Sequence, residues 1–412
     1  MKTVGIIAEY NPFHNGHAYQ IAKAKEITGA DYCIIVMSGN FVQRGTPALL
    51  DKSLRTKAAL QSGADLVLEL PVYYAVSSAE YFASGAVALL DKLGVTDYLC
   101  FGSECGNLTI LSALANALLD ENAIFQSNLK EKLKDGLSYP QARNYALAAS
   151  SPNLKADLDI LQSPNNILGV EYLKALQKRS SRILPYTITR EGAGYHMSKL
   201  HESYSSALAI RQSLCEKQDI AHVKEQVPES MYALFEENYQ KNFPILPEDI
   251  SNLLCYKLMM EQEKGFTEYL DIDHDFSDRI RKLLSTYTDY SSFCEQLKSK
   301  NRTYTRVARN LLHILLDIYQ NDMEVFCADD YIYYARILGF RKDAAPLMSA
   351  IKKNTSIPFF SKLADSDSYI SSTSGRKMLQ KDIHTSHIYS LLLHQKFGQG
   401  IQNEYKTQVI IV

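Results

Sequence analysis

Several features that would narrow the function of this 412-residue chain are missing from its sequence. Its seven cysteines form no Cys-x-x-Cys pair, so we expect reduced thiols in a cytoplasmic protein and no zinc site. No apolar run approaches transmembrane length and the chain opens directly on a core strand, so we expect neither membrane association nor a signal peptide. The formal net charge of −2 gives no global argument for a nucleic-acid partner, although a local basic face remains open.

What the sequence does contain is a polar turn near its start. Residues 3–8 are typical of a buried parallel strand and residues 18–24 of a helix, and His14, Gly16 and His17 lie between them as His-x-Gly-His. Such a turn faces the carboxyl ends of the strands, where helix N-termini offer N–H groups to phosphate. Two imidazoles one turn apart can hold a triphosphate and stabilise charge on a phosphorus under attack. A turn histidine beside a surface histidine is the alternative.

Strand-like and helix-like segments alternate through the first half of the chain. Further strands are predicted at 31–37, 66–70, 97–101 and 183–188, and helices at 51–61 and 78–93. This alternation predicts an α/β fold with a doubly wound parallel sheet of Rossmann type. Helical periods dominate beyond about residue 220, with a terminal strand at 408–412. We therefore predict a nucleotide-binding domain at 1–225 and a mainly helical domain at 226–412.

Several loops would converge on the histidine turn in such a sheet. The loop at 38–48 carries Arg44 between glycines, and Lys52 and Arg55 follow it, so a carboxylate or phosphate could bind there; a solvated loop is the alternative. Gly102 follows a strand and lets the chain pass close to a ribose or base, unless it only makes a tight turn. Asn165 lies at a helix start, where it either caps the helix or contacts adenine.

A second phosphate site is predicted near residue 205. Ser205 and Ser206 open a helix and Arg211 follows, so hydroxyls and backbone N–H groups could bind β and γ oxygens. The similar run at 371–376 lacks a preceding sheet strand and is set aside. Two histidine pairs are interpreted as structural or surface histidines, because no cysteine or convincing carboxylate partner accompanies them at metal-ligand spacing. These pairs are His196 with His201 and His384 with His387.

Nearly the whole chain resembles one family, the bacterial tRNA(Met) cytidine acetate ligases of the His-x-Gly-His nucleotidyltransferase superfamily. The matching segments are 5–17, 37–45, 163–169, 190–196 and 335–340. The run 205–211 is similar to the second signature of the superfamily, with Ala207 or Leu208 where a threonine is usual.

The resemblance implies a reaction and a set of site residues. Acetate and ATP would form acetyl-AMP and pyrophosphate, and the acetyl group would pass to N4 of the wobble cytidine of elongator tRNA(Met). His14 and His17 would stabilise the phosphoryl oxygens, and Ser205, Ser206 and Arg211 would hold the leaving pyrophosphate, with Mg²⁺ expected. ATP contacts are implied for Ile7, Ala8, Glu9, Tyr10, Asn11, Pro12, Phe13, His14, Asn15, Gly16, His17, Ala18, Tyr19, Gln20, Gly102, Asn165 and Arg190.

Two further sites are predicted from the residues alone. An acetate pocket is placed at Arg44 or Lys52. Basic residues of the second half are expected to hold tRNA, with solvated helix faces as the alternative. They are Lys298, Lys300, Arg302, Arg306, Arg309, Arg341 and Lys342. We infer no obligate protein partner. Two other functions stay open: a small-molecule adenylyltransferase of the same superfamily, and a non-catalytic RNA- or nucleotide-binding protein.

Overall fold

A computed structural model describes residues 1–120, 122–137, 139–190 and 205–412. Residues 191–204, including His196 and His201, therefore lie outside the described residues. The described strands are β1 (Thr3–Ala8), β2 (Tyr32–Ser38), β3 (Phe41–Val42), β4 (Thr46–Pro47), β5 (Leu66–Leu70), β6 (Tyr98–Ser103), β7 (Leu184–Thr189), β8 (Ala335–Phe340), β9 (Phe359–Phe360) and β10 (Ile410–Ile411).

Helices surround the sheet. Those of the first half are α1 (Asn15–Thr28), α2 (Lys52–Gln61), α3 (Val72–Ala75), α4 (Ala79–Lys92), α5 (Leu108–Leu119), α6 (Ala123–Lys134), α7 (Tyr139–Ser150), α8 (Pro164–Lys178) and α9 (Ala207–Lys217). Those of the second half are α10 (Glu229–Asn238), α11 (Ser251–Glu261), α12 (His274–Leu283), α13 (Tyr290–Leu297), α14 (Tyr304–Leu316), α15 (Gln320–Ala328), α16 (Ala345–Asn354), α17 (Ser366–Tyr369) and α18 (Thr373–Phe397). Short 3₁₀ segments lie at Pro152–Gln162, Ile220–Gln226, Pro247–Ile250, Leu284–Thr286, Lys342–Ala344, Leu363–Asp365 and Glu404–Lys406.

The main sheet has the order β10-β8-β5-β2-β1-β6-β7. Strands β5, β2, β1, β6 and β7 are parallel, so the predicted fold class is confirmed. The chain runs outward from β1 to β2 and β5 and then returns to the other side of β1 for β6. The strand order therefore reverses between β1 and β6, which is where open α/β sheets bind their ligands.

Both faces of the sheet are buried. Along β2, Ile34 and Val36 pack into one core cluster, and Cys33, Ile35 and Met37 pack into the other. This alternation follows from the two-residue period of a strand and places an apolar layer under helices on each side. Capping matches the predicted helix starts, since Asp51 and Ser78 accept backbone N–H bonds at α2 and α4.

The second half of the chain also contributes to the sheet. Strand β8 pairs antiparallel with β5, with Leu66 opposite Phe340, and β9 and β10 pair parallel with β8. The segment 335–340 was expected within a mainly helical region, but it is a buried strand. The two halves on either side of the predicted boundary at 225/226 therefore share one sheet.

Membrane-spanning helices were sought among the described residues. No single helix there combines the length and apolar composition needed to cross a bilayer. Helices α5 and α6 meet those criteria only as a pair bent by 83°.

Candidate active site

Two adjoining cavities open at the carboxyl ends of the parallel strands. Their volumes are about 70 Å³ and about 530 Å³. The residues that line both are His14, His17, Gln20, Gly102, Arg190 and Ser206. The fold thus brings together the histidine turn after β1, the ends of β6 and β7, and the start of α9.

The two histidines are held by reciprocal hydrogen bonds at the start of α1. The Gly16 N–H donates to His14 Nδ1 over 3.1 Å, and the His14 N–H donates to His17 Nδ1 over 3.3 Å. Because each Nδ1 is an acceptor, each neutral ring carries its proton on Nε2. The rings stack with centroids 3.7 Å apart. Both rings therefore offer an Nε2–H donor.

Both imidazoles are neutral near pH 7. Burial, together with the smaller effects of the positive charges of Arg190 and Arg211, lowers the pKa of His14 to about 3. Burial also moves the pKa of His17 well below its usual value, helped by His14 and Arg190. Preorganised donors of this kind stabilise negative charge that develops on oxygen during a reaction.

The start of α9, with Ser206 and Arg211, lines one side of the larger cavity. Ser206 caps this helix by accepting the Ala209 N–H over 3.2 Å, and the Ser205 N–H donates to Gln226 Oε1 over 3.2 Å. Arg211 donates from Nη1 to the Asn11 carbonyl and so joins α9 to the histidine turn. Burial, followed by the charge of Arg44, lowers the pKa of Arg211 to about 10, so the guanidinium remains charged at neutral pH.

The ends of β6 and β7 form the opposite side. A Cβ on Gly102 would lie 3.2 Å from Arg190 Cγ, so the glycine allows this arginine to cross the strand end closely. Asn165 donates to Glu104 Oε1 over 2.7 Å, and Arg190 donates to Asn165 Oδ1 over 3.4 Å. These bonds connect two of the loops that the sequence predicted to converge, those of Gly102 and Asn165, with Arg190 at the end of β7.

Most of the residues implied for ATP and pyrophosphate border the two cavities. They are Ile7, Ala8, Glu9, Tyr10, Asn11, His14, Gly16, His17, Tyr19, Gln20, Gly102, Asn165, Arg190, Ser205, Ser206 and Arg211. Pro12, Phe13, Asn15 and Ala18 do not line either cavity. Phe13 is fully buried, and Asn15 donates to the Glu225 carbonyl over 2.8 Å. Nucleotide contact by each of these residues stays a prediction.

The structure separates the cations that were predicted to bind acetate. Arg44 lines the larger cavity. Lys52 does not: it is buried, and its ammonium pairs with Glu69 over 2.8 Å and with Glu404. The prediction of Lys52 as an acetate ligand is therefore corrected.

Arg55 is likewise used inside the protein. Its guanidinium donates to backbone carbonyls, including Glu9 over 2.7 Å and Ser38 over 3.0 Å. Arg55 therefore fixes the loops after β1 and β2 and is not available to a substrate anion.

The basic residues predicted to bind tRNA do not form one surface: some are buried or line the cavity, and others are exposed or paired. Arg302 is buried against Phe276, donates to Asn310 over 2.8 Å and pairs with Asp273. Because these intramolecular contacts occupy its guanidinium, the prediction that Arg302 contacts tRNA is corrected. Arg309 lines the larger cavity together with Thr305.

The other predicted cations have local partners or lie exposed. Arg306 pairs with Asp271 over 2.6 Å, and Arg341 pairs with Asp343 over 2.7 Å. Lys298 pairs with Glu295, Lys300 donates to the Gly136 carbonyl over 2.6 Å, and Lys342 is exposed. Contact between any of them and tRNA stays a prediction.

Sequence reasoning missed an apolar wall of the larger cavity. Phe82, Leu168 and Tyr172 lie on α4 and α8, and Phe101 lies on β6. Their spacing on buried helices and a strand is that of ordinary core residues. No pattern distinguished the few side chains at the cavity from those behind them.

Metal ligands were sought among the described residues. No group of three histidine, cysteine, aspartate or glutamate side chains there could hold a metal ion. Glu9 is the only carboxylate among the described residues that line the two cavities.

The fold, with its histidine turn at the strand-order reversal, defines a nucleotidyltransferase of the His-x-Gly-His type. A family described as HIGH Nucleotidyl Transferase matches residues 1–404. The tRNA(Met) cytidine acetate ligase of Acetivibrio thermocellus is 39% identical over 100% of both chains. This chain belongs to the tRNA(Met) cytidine acetate ligase family, as its resemblance predicted.

Two solved structures are similar to this chain over its full length. Thermotoga maritima TmcAL in its apo form superposes with a TM-score of 0.94, at 31% identity and 100% coverage of both chains. The same protein bound with alpha-thio ATP gives a TM-score of 0.91, with the same identity and coverage.

Proposed function

We propose that the chain is a cytoplasmic ATP-dependent ligase that acetylates N4 of the wobble cytidine of elongator tRNA(Met). The observation that carries this proposal is an intact pair of Nε2–H donors in a chain that matches the tRNA(Met) cytidine acetate ligases from end to end. Residues 1–225 would bind ATP and catalyse the reaction, and residues 226–412 would hold most of the tRNA.

The first step joins acetate to AMP. An acetate oxygen attacks the α-phosphorus, the bond from that phosphorus to the bridging oxygen breaks, and pyrophosphate leaves. His14 and His17 donate from Nε2 to the α-phosphoryl oxygens, where charge accumulates. Ser206 and Arg211 hold the leaving group at the start of α9. Arg44 is the cation proposed to orient acetate.

Mg²⁺ is expected to enter with ATP. Mg²⁺ prefers octahedral oxygen ligands and usually keeps several waters. Because no metal-binding cluster occurs among the described residues, phosphate oxygens and water would supply most of its ligands. The protein side chains then need only align the triphosphate.

Acetylation of purified tRNA with ATP and labelled acetate tests the proposal. We expect His14→Ala and His17→Ala each to lower the acetylation rate by about 10²–10³-fold, because each removes one preorganised donor. His222→Ala, at an exposed histidine far along the chain, is the control and should match the wild type.

Other outcomes would reject the proposal. Acetate-independent pyrophosphate release without acetylated tRNA would indicate a small-molecule adenylyltransferase. Absence of any ATP turnover by the wild type would indicate a binding protein.

A further inference from the structure

The larger cavity extends to both sides of the histidine turn. On one side lie Gly102, Asn165 and Arg190, at the ends of β6 and β7 and the start of α8. On the other side lie residues that follow β2 and β5, together with α14: Gln43, Arg44, Ala79, Phe82, Thr305 and Arg309. Pockets for small-molecule ligands span about 300–1,000 Å³. The larger cavity, at about 530 Å³, lies within this range and borders both groups of residues.

Glu9 lies at the junction of these two sides, directly after β1. Its Oε1 accepts the Gln43 N–H over 2.7 Å, which fixes the carboxylate against the loop after β2. Among the described residues no donor reaches Oε2. Burial lowers the pKa of Arg44 and of Arg211, and the negative charge of Glu9 acts in the opposite direction by favouring their charged forms. The same charge adds to the effect of burial in raising the pKa of Tyr172.

The chemistry of this side matches the edge of an aminopyrimidine. Cytosine presents one amine donor, N4, beside two acceptors, N3 and O2. Carboxylates accept from N4, and guanidinium groups donate to ring acceptors. Glu9 supplies the first kind of group, and Arg309 supplies the second. Phe82 and Tyr172 add the apolar wall against which an extruded base can pack.

We propose, on the basis of the function proposed above, that this side of the cavity receives the acceptor cytosine and that Glu9 accepts its N4 proton. The N4 nitrogen attacks the acetyl carbonyl carbon, and an N–C bond forms. The bond from that carbon to the phosphate oxygen breaks, and AMP leaves with the electron pair. One N4 proton passes to Oε2 of Glu9 and then to water. Glu9 thus acts in the transfer step, after acetyl-AMP has formed.

Glu9→Gln separates the two steps, because the amide still accepts the Gln43 N–H but cannot take a proton. Acetate-dependent exchange of pyrophosphate into ATP reports the first step. Transfer is measured in a single turnover, by mixing tRNA with enzyme that has accumulated acetyl-AMP in the presence of pyrophosphatase. We expect transfer to fall by about 10²-fold or more, the usual contribution of a general base, and exchange to fall far less. Glu26→Gln, at a glutamate paired with Lys23 on the surface, is the control.

Two results would overturn the proposal: an equal loss in both steps, or transfer within about threefold of the wild type. If Glu9→Gln fails to fold, Glu9→Asp retains a carboxylate one methylene shorter and should show the same selective loss. Failure of the proposed function is distinct, because the wild type would then show no acetate-dependent exchange.

Discussion

At the scale of single residues, His14 and His17 are neutral donors whose protons are placed by the backbone. Each Nδ1 receives an N–H from the turn itself, so the same four residues that define the motif also set both tautomers. A positively charged imidazole would be poorly solvated here and would face Arg190 and Arg211. The site therefore favours neutral rings, and its cationic charge comes from the arginines.

The buried state of His14 predicts that the protein loses stability in mild acid. Its folded pKa of about 3 lies below the ordinary value of 6.5, so the unfolded chain binds more protons between these limits. Stability from this group is complete above pH 6.5 and falls as the pH decreases. Between pH 7 and pH 5 we expect His14 to contribute a loss of about 2 kcal/mol in the free energy of unfolding.

Urea unfolding at the two pH values measures this term. His14→Asn retains a good helix cap but cannot titrate, so its stability should fall by about 2 kcal/mol less than that of the wild type. His222→Asn, at an exposed histidine, should follow the wild type. Equal losses in His14→Asn and wild type would contradict the burial of a neutral imidazole.

The sequence predicted the position of the histidine turn between a strand and a helix, but it did not predict the partners of Lys52 and Arg55. The turn could be recognised because strand, polar run and helix are adjacent in the sequence. Lys52 and Arg55 could not be assigned, because their partners are Glu404, more than half the chain away, and backbone carbonyls that no sequence pattern marks. A charged residue in a loop or first turn has the same appearance whether it binds a substrate or a buried carboxylate.

At the scale of elements, helix α14 extends the second half of the chain into the active site. Gly45 lies beside it with φ +84°, and a Cβ there would be 2.4 Å from the Ala308 carbonyl carbon. The Tyr290 hydroxyl donates to the Gly45 and Ala308 carbonyls. The loop that carries Arg44 is thus packed against the turn of α14 that carries Arg309.

Two arginines one turn apart on α14 should behave differently. Arg306 forms a half-exposed ion pair with Asp271, whereas Arg309 faces the larger cavity. We expect Arg309→Met to lower kcat/KM for tRNA acetylation by about 10-fold or more, the equivalent of one lost charged hydrogen bond. Arg306→Met should change it less than about threefold and cost at most about 1 kcal/mol of stability.

Kinetics of the two variants, with unfolding curves for each, check this difference. Equal effects on tRNA binding would favour a continuous basic surface over a cavity role for Arg309. The sequence alone could not assign different roles to Arg306 and Arg309, because both occur in the same basic run. The orientation of α14 directs Arg309 to the cavity and Arg306 to Asp271.

At the scale of the whole molecule, the two halves share a sheet and a buried charge network. Arg336 on β8 pairs with Glu69 on β5 over 2.8 Å and with Glu404 over 2.6 Å, and Lys52 pairs with the same two carboxylates. Strand β8 was not predicted, because a six-residue segment between helices, largely apolar but containing Arg336, has no partner nearby in the sequence. The parallel strands of the first half were predicted because each is followed by its own helix.

This network predicts that the halves unfold together. Arg336→Met leaves two buried carboxylates facing one lysine, and breaking a buried pair in this way typically costs about 3–5 kcal/mol. Arg341→Met removes a half-exposed ion pair just beyond the same strand and should cost at most about 1 kcal/mol. Urea unfolding followed by circular dichroism and by protease resistance of each half measures both effects.

Because Arg336 joins β8 to β5, its loss should shift a single unfolding transition that both halves share. Two separate transitions, with only the second half destabilised, would show that residues 1–225 fold independently and that β8 is a detachable edge. A single shifted transition would mean that the second half of the chain belongs to the same folding unit as the first. In that case the position of Arg309 over the active site depends on the same interactions that hold the sheet together.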